Sequence, residues 1–91
     1  MKAVCHNHAL SRFELDLDGG ELAFARYRLE NGLMIFTHTE VPPRGRGRGT
    51  GSHLIHGALE LARGLNKKVV PRCSFVADYI DRHPEFSDLV A

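Results

Sequence analysis

Val41-Pro42-Pro43-Arg44-Gly45-Arg46-Gly47-Arg48-Gly49-Thr50-Gly51-Ser52 is the stretch on which the fold turns. Neither proline can donate to a strand ladder, so a strand running into Val41 ends there. Beyond Ser52, the apolar residues Leu54, Ile55, Ala58, Leu61, Ala62 and Leu65 recur at three- and four-residue spacing. That predicts an amphipathic helix of about fourteen residues, with Gly64 and Asn66 as its stop signals. Between strand and helix lies the Arg/Gly run. Glycines at 47, 49 and 51 let successive amides turn inward with no Cβ in the way, as in anion-binding concavities. A helix starting on such a loop adds unpaired amides and the positive end of its dipole, with Thr50 or Ser52 as its expected cap. Arg46 and Arg48 supply charge and forked donors for phosphate oxygens. The run therefore predicts a phosphate cradle suited to a pyrophosphate.

Upstream, Phe13, Leu15 and Leu17 alternate with Glu14 and Asp16, which predicts a half-buried strand. Asp18-Gly19-Gly20 is a turn signal, and a second strand follows over 21–30 with Ala23, Ala25, Tyr27 and Leu29 on one face. Asn31-Gly32 is the favoured two-residue hairpin turn, and a third strand runs from Leu33 to Val41. Residues 1–11 have no clear period and either fray or add an edge strand. Downstream, Val69-Val70 is a short buried strand closed by Pro71. A last helix is expected over Ser74–Arg82, with Phe75, Val76, Tyr79 and Ile80 on one face, stopped by His83-Pro84. The result is one mixed α/β (α+β) domain over 1–91: a mostly antiparallel sheet in the order β-β-β-α-β-α, with a parallel crossover around the first helix.

Composition sets the outer limits. The chain has 91 residues, 43% hydrophobic and 25% charged, and a formal net charge of +1. Such a balance gives no global pull toward nucleic acid or a membrane, so anion binding has to come from the local arginine cluster. No apolar leader or long apolar run is present, so a cytoplasmic protein without membrane attachment is expected, with Cys5 and Cys73 as free thiols. An RGG-type patch for RNA is the competing reading of the loop. Disordered RGG segments rarely sit between a buried strand and a helix, and this loop has no aromatic neighbours for base stacking, so nucleic acid is not the expected partner.

Familiar phosphate motifs do not fit. Gly51-Ser52-His53 lacks the lysine of a Walker loop, and the glycine spacing is not that of a dinucleotide fingerprint. Arg46-x-x-Gly49-x-Gly51 before a helix instead resembles the acyl-CoA signature of the GCN5-related N-acetyltransferases. The segments Thr37–Pro42, Val69–Val76, Tyr79-Ile80 and Arg82–Glu85 are similar to a compact single-domain branch of that superfamily. The resemblance implies a minimal version of that fold and acetyl-CoA as cosubstrate. In this reading the strand end near Val41 splays at a bulge and binds the pantetheine arm. The amides from Gly47 through Gly51, with Ser52 beside them, hold the pyrophosphate, and Arg46 and Arg48 lie nearby. Tyr79 falls on the helix that carries, in larger relatives, a tyrosine protonating the departing thiolate. Those relatives insert two helices between their first and second strands; this chain offers only Asp18-Gly19-Gly20 there. An open acceptor side follows, or one completed by another protein or a second copy in a homodimer.

Two further groups are candidates for chemistry. Cys73 falls at a helix start beside Arg72, a setting that favours a reactive thiol, although a small buried hydrophobe is the ordinary role of a free cysteine. The resemblance places it near the acetyl end of the cofactor. His38 and Glu40 share a strand face near the presumed arm and could act as general base on an incoming amine. His6 with His8 and His53 with His56 are close in sequence, but no third ligand is spaced for zinc, so no metal is expected. The expected function is acetyl transfer to an amine of unknown identity, a protein or other bulky acceptor among the options. The alternative is a non-catalytic acyl-CoA-binding or sensor module.

Overall fold

The computed structural model describes residues 1–91. Five strands form one sheet in the order β1-β2-β3-β4-β5: β1 (Cys5–Asn7), β2 (Arg12–Asp16), β3 (Leu22–Glu30), β4 (Leu33–Glu40) and β5 (Lys68–Pro71). The first four pair antiparallel, and β4 pairs β5 in parallel around the crossover helix α1 (Thr50–Gly64). Helix α2 (Ser74–Arg82) follows β5, and a 3-10 segment, Pro84–Leu89, closes the chain. The mixed, mostly antiparallel fold expected from the sequence is present, with one strand more: the N-terminal stretch does not fray but adds β1 at the edge. The connection between first and second strands is therefore His8–Ser11, not Asp18-Gly19-Gly20.

The elements form where the sequence puts them. Asn31 and Gly32 take φ of 52° and 77°, the doubly left-handed turn that matches strand twist. Phe13 and Leu15 from β2, Ala23, Ala25 and Tyr27 from β3, and Met34 and Phe36 from β4 point to one face of the sheet. There they form a single cluster with Leu54, Ile55, Ala58, Leu59 and Ala62 of α1 and Val76, Tyr79 and Ile80 of α2. The other face carries Arg12 and Arg26, whose guanidinium carbons lie 4.6 and 5.3 Å from the Phe24 ring centre.

Three apolar assignments change. Leu29 is exposed, because β2 pairs with β3 only as far as Arg26 and leaves Leu29 without a strand beside it. On α1 the buried stripe is turned toward Leu59, so Leu61 and Leu65 sit at its rim. Phe75 is 42% exposed and does not join the buried face of α2. The helix start differs too: its cap is Gly49, left-handed at φ 75°, with Thr50 and Ser52 already helical and no side chain capping.

The edge strand is locked by aromatic contacts. The His6 ring stacks on Phe13 at 4.4 Å and its Nε2 lies 2.6 Å from the Tyr27 hydroxyl. Burial, then the neighbouring His8, holds the His6 imidazole below its ordinary value of 6.5. The fold thus favours neutral His6, and its contribution is fully present above pH 6.5 and lost as pH falls through the depressed value. Thermal melting from about pH 7.5 to about pH 5.5 is expected to show a falling melting temperature, with a smaller slope in His6→Phe; equal slopes would refute the assignment.

Candidate functional site

The site is made where two strands part. On β4 the residues Phe36 and His38 face Tyr27 and Arg26, so Thr37 is an extra residue and the strand bulges. The β4–β5 pairing stops at Phe36 opposite Pro71, and one more backbone bond, Cys73 amide to Phe36 carbonyl at 3.0 Å, closes the seam. Past it β4 runs on through Glu40 with no strand on that side, while the other chain turns into α2 with Cys73 as its cap. The splay and bulge expected from the resemblance are both there.

The Arg/Gly loop lies at the mouth of this opening. After a 3-10 turn at Pro43–Gly45, Gly47 and Gly49 take φ of 76° and 75°. The amides of Gly47, Arg48, Gly49, Thr50, Gly51 and Ser52 donate to no backbone carbonyl. This is a row of free donors at a helix N-terminus, the arrangement that binds phosphate oxygens. The residues present therefore fit a pyrophosphate. Arg46 donates from Nε to the Val41 carbonyl at 3.0 Å and so ties the loop to the end of β4. Arg48 makes no ion pair, whereas Arg44 stands 3.4 Å from Glu21 Oε1. At that distance the pair is electrostatic rather than a formed hydrogen bond, and the Glu21 oxygen is buried without a hydrogen-bond partner.

Two adjoining cavities extend from the loop. One, of about 220 Å³, is lined by Gly47, Gly49, Gly51, Ser52 and Phe75; the next, of about 330 Å³, by Thr39, Glu40, Val41, Arg46 and Phe75. Thr39 points from the latter to Cys73, their Oγ1 and Sγ sharing a hydrogen bond at 3.3 Å. A larger cavity of about 410 Å³ lies across the loop, lined by Lys2, Asp16, Asp18, Arg44 and Arg48. Lys2 spans Asp16 and Asp18 at 3.0 and 2.6 Å, so much of the charge there is satisfied internally. The smaller pair of cavities, lined by the loop with its free amides and by Thr39, the partner of Cys73, is the better candidate.

The other sequence-derived residues are placed as follows. His38 Nε2 lies 2.9 Å from Glu40 Oε2; Glu40 lines the cleft and His38 does not. His38 itself points to the sheet face opposite Thr39, as the register with Arg26 requires. Tyr79 does not line this cleft. Its hydroxyl is bonded to His56 Nδ1 at 3.1 Å, its ring stacks on His83 at 3.9 Å, and it borders a third cavity with Ser52 and Phe75. Burial, then Glu85 and Glu60, pushes the Tyr79 phenol above its ordinary 10 and keeps it protonated. Three side chains escaped the sequence reading. Thr39 is turned toward Cys73 by the bulge, His56 is tied to Tyr79 across the two helices, and Phe75 lines three of these four cavities, all but that of Arg44 and Arg48.

Left-handed Gly49 is expected to resist substitution: Gly49→Ala should cost about 1–2 kcal/mol, read in melting as about 4–8 °C per kcal/mol. Arg48→Ala should leave stability unchanged, since Arg48 has no ion pair to lose. Comparable losses in both variants would contradict this description of the loop.

No helix of the protein is long and apolar enough to cross a membrane. The model of the GCN5-related N-acetyl-transferase family matches residues 12–89, from the first residue of β2 to the last of the closing 3-10 segment, and the chain belongs to that family.

Proposed function

We propose that the protein transfers an acetyl group from acetyl-CoA to an amine, in a cleft running from the Gly47–Ser52 amides to the Thr39–Cys73 pair. Family membership supports acetyl transfer in general. The observation that carries the finer reading is the row of undonated amides opening into a cleft whose other end is lined by Thr39, hydrogen-bonded to the Cys73 thiol. Bound there, acetyl-CoA supplies the activated acyl thioester.

The chain's own residues then divide the work. The loop amides hold the pyrophosphate, with Arg46 in the wall of the same cavity and Arg48 on the other side of the loop. The unpaired edge of β4 over 37–40 offers backbone groups to the arm, with Val41 at its end. Glu40, in the cleft wall, takes a proton from the amine, with His38 hydrogen-bonded to it from the other face of the sheet. Cys73, hydrogen-bonded to Thr39, stands at the seam; in the covalent version its sulfur displaces coenzyme A from the acetyl carbon, its proton passing to the departing thiolate, and the amine then takes the acetyl group and frees Cys73. In the direct version the amine attacks the thioester and the thiolate departs; Tyr79, protonated, is its proton donor only once the hydroxyl leaves His56, since it does not line this cleft. Four residues, His8–Ser11, join the first two strands, so the acceptor side has no helical cover. That suits a bulky acceptor, such as an amine on a protein, or completion of the site by a second copy.

A second reading, acyl-CoA binding without turnover, draws support from Tyr79, whose hydroxyl is engaged by His56 outside the cleft. Two measurements separate the readings. Acetyl-CoA at a hundredfold excess over its dissociation constant should add about 2.7 kcal/mol of stability, seen as a rise in melting temperature; no rise at about millimolar ligand would refute the cofactor assignment. Thiol release across a panel of amines should follow in the wild type and drop about a hundredfold in His38→Gln with Glu40→Gln. Binding with no thiol release would favour the sensor reading. Full activity in Cys73→Ala would eliminate the covalent version, whereas an acetylated Cys73 peptide in the mass spectrum would establish it.

A further inference from the structure

Phe75 stands out among the apolar side chains of α2. Its neighbours on the helix stripe, Val76, Tyr79 and Ile80, are buried, yet Phe75 is 42% exposed at the first turn. Its ring does not project freely. It lies against the backbone of Gly51, so close that a Cβ added there would fall 2.6 Å from the ring tip. Real Cβ atoms do not come that close, so a side chain at 51 would displace the ring from this position.

The ring also sits at a junction. Phe75 lines the cavity above the loop amides, the cleft of Thr39, Glu40, Val41 and Arg46, and the cavity bordered by Tyr79 and Ser52. The first two take opposite chemistries. At one end are amides suited to phosphate; at the other are a strand edge and a thiol–hydroxyl pair. Val41, Arg46 and Phe75 line both, so anything that reaches from one to the other passes beside this ring. An exposed aromatic at such a crossing is a surface for an apolar, flexible chain rather than for an anion.

We propose that Phe75 is a cofactor-contacting residue. Its ring forms the wall on which the pantetheine arm of a coenzyme A thioester lies between the Gly47–Ser52 amides and Thr39–Cys73. It makes the site prefer nucleotides that carry such an arm over nucleotides without one. The proposal rests on the acyl-CoA reading above and adds to it the residue that selects the arm.

The test is calorimetric titration of the full chain with acetyl-CoA and, separately, with its phospho-ADP half. The wild type should bind acetyl-CoA at least about tenfold tighter than the half-ligand, the scale expected for burying an arm against one aromatic ring. Phe75→Ala should lose that preference through weaker acetyl-CoA binding, with phospho-ADP unchanged; Phe75→Leu should keep most of it. Should Phe75→Ala fold poorly, Phe75→Gln keeps the length while removing the apolar face, and the same loss is expected. A wild type that binds neither ligand overturns the acyl-CoA reading itself. A wild type that prefers acetyl-CoA, with variants that prefer it equally or bind it more tightly, overturns the role of Phe75 alone.

Discussion

The hydrogen bond from the Cys73 amide to the Phe36 carbonyl is the last backbone tie between the two halves of the seam, and everything functional lies just beyond it. Proline at 71 ends β5 because it brings no donor to the ladder. The Thr37 bulge turns β4 away at nearly the same level. Neither device would open a cleft alone. A bulge beside a continuing strand would be paired over, and a strand end beside a straight neighbour would leave only a frayed edge. Together they leave a length of β4 with free backbone groups, walled on its far side by the start of α2.

The loop is the second half of the same arrangement. Its left-handed glycines deliver the chain into α1 with the first amides of the helix unspent, and Arg46 anchors the turn to the carbonyl of Val41. The charge is local. A protein with a net charge of +1 has no long-range field to draw in an anion, so any anion held at the loop would be held by amides that are already oriented. Orientation settled during folding carries no further entropic cost on binding.

How much of this is legible in the sequence follows from how local each feature is. The Arg/Gly run, the Asn31-Gly32 turn, the α2 boundaries and the cap position of Cys73 are written in neighbouring residues, and all appear where expected. What is missed depends on partners distant in the chain. Leu29 reads as buried because alternation cannot show where β2 stops beside it. Leu61 and Leu59 exchange places because the spacing allows a stripe to be turned by one residue. Phe75 has the right interval from Tyr79 for a core position, and only the closeness of Gly51 shows that it faces the cleft. Thr39 needs the bulge, which no local pattern announces. The bond between Tyr79 and His56 joins two helices separated by a strand.

The four-residue link His8–Ser11 has a consequence for the solvent. With so short a connection between the first strands, no segment from this part of the chain can fold over the open edge of β4. An acyl group held there would be reachable by water as well as by an amine, and exclusion of water is one of the ordinary functions of a closed active site. Protection against hydrolysis would then have to come with the acceptor, whose own surface would serve as the missing cover. A catalyst of that kind would be completed by its substrate, and its wasteful side reaction would be slowest with the right partner in place.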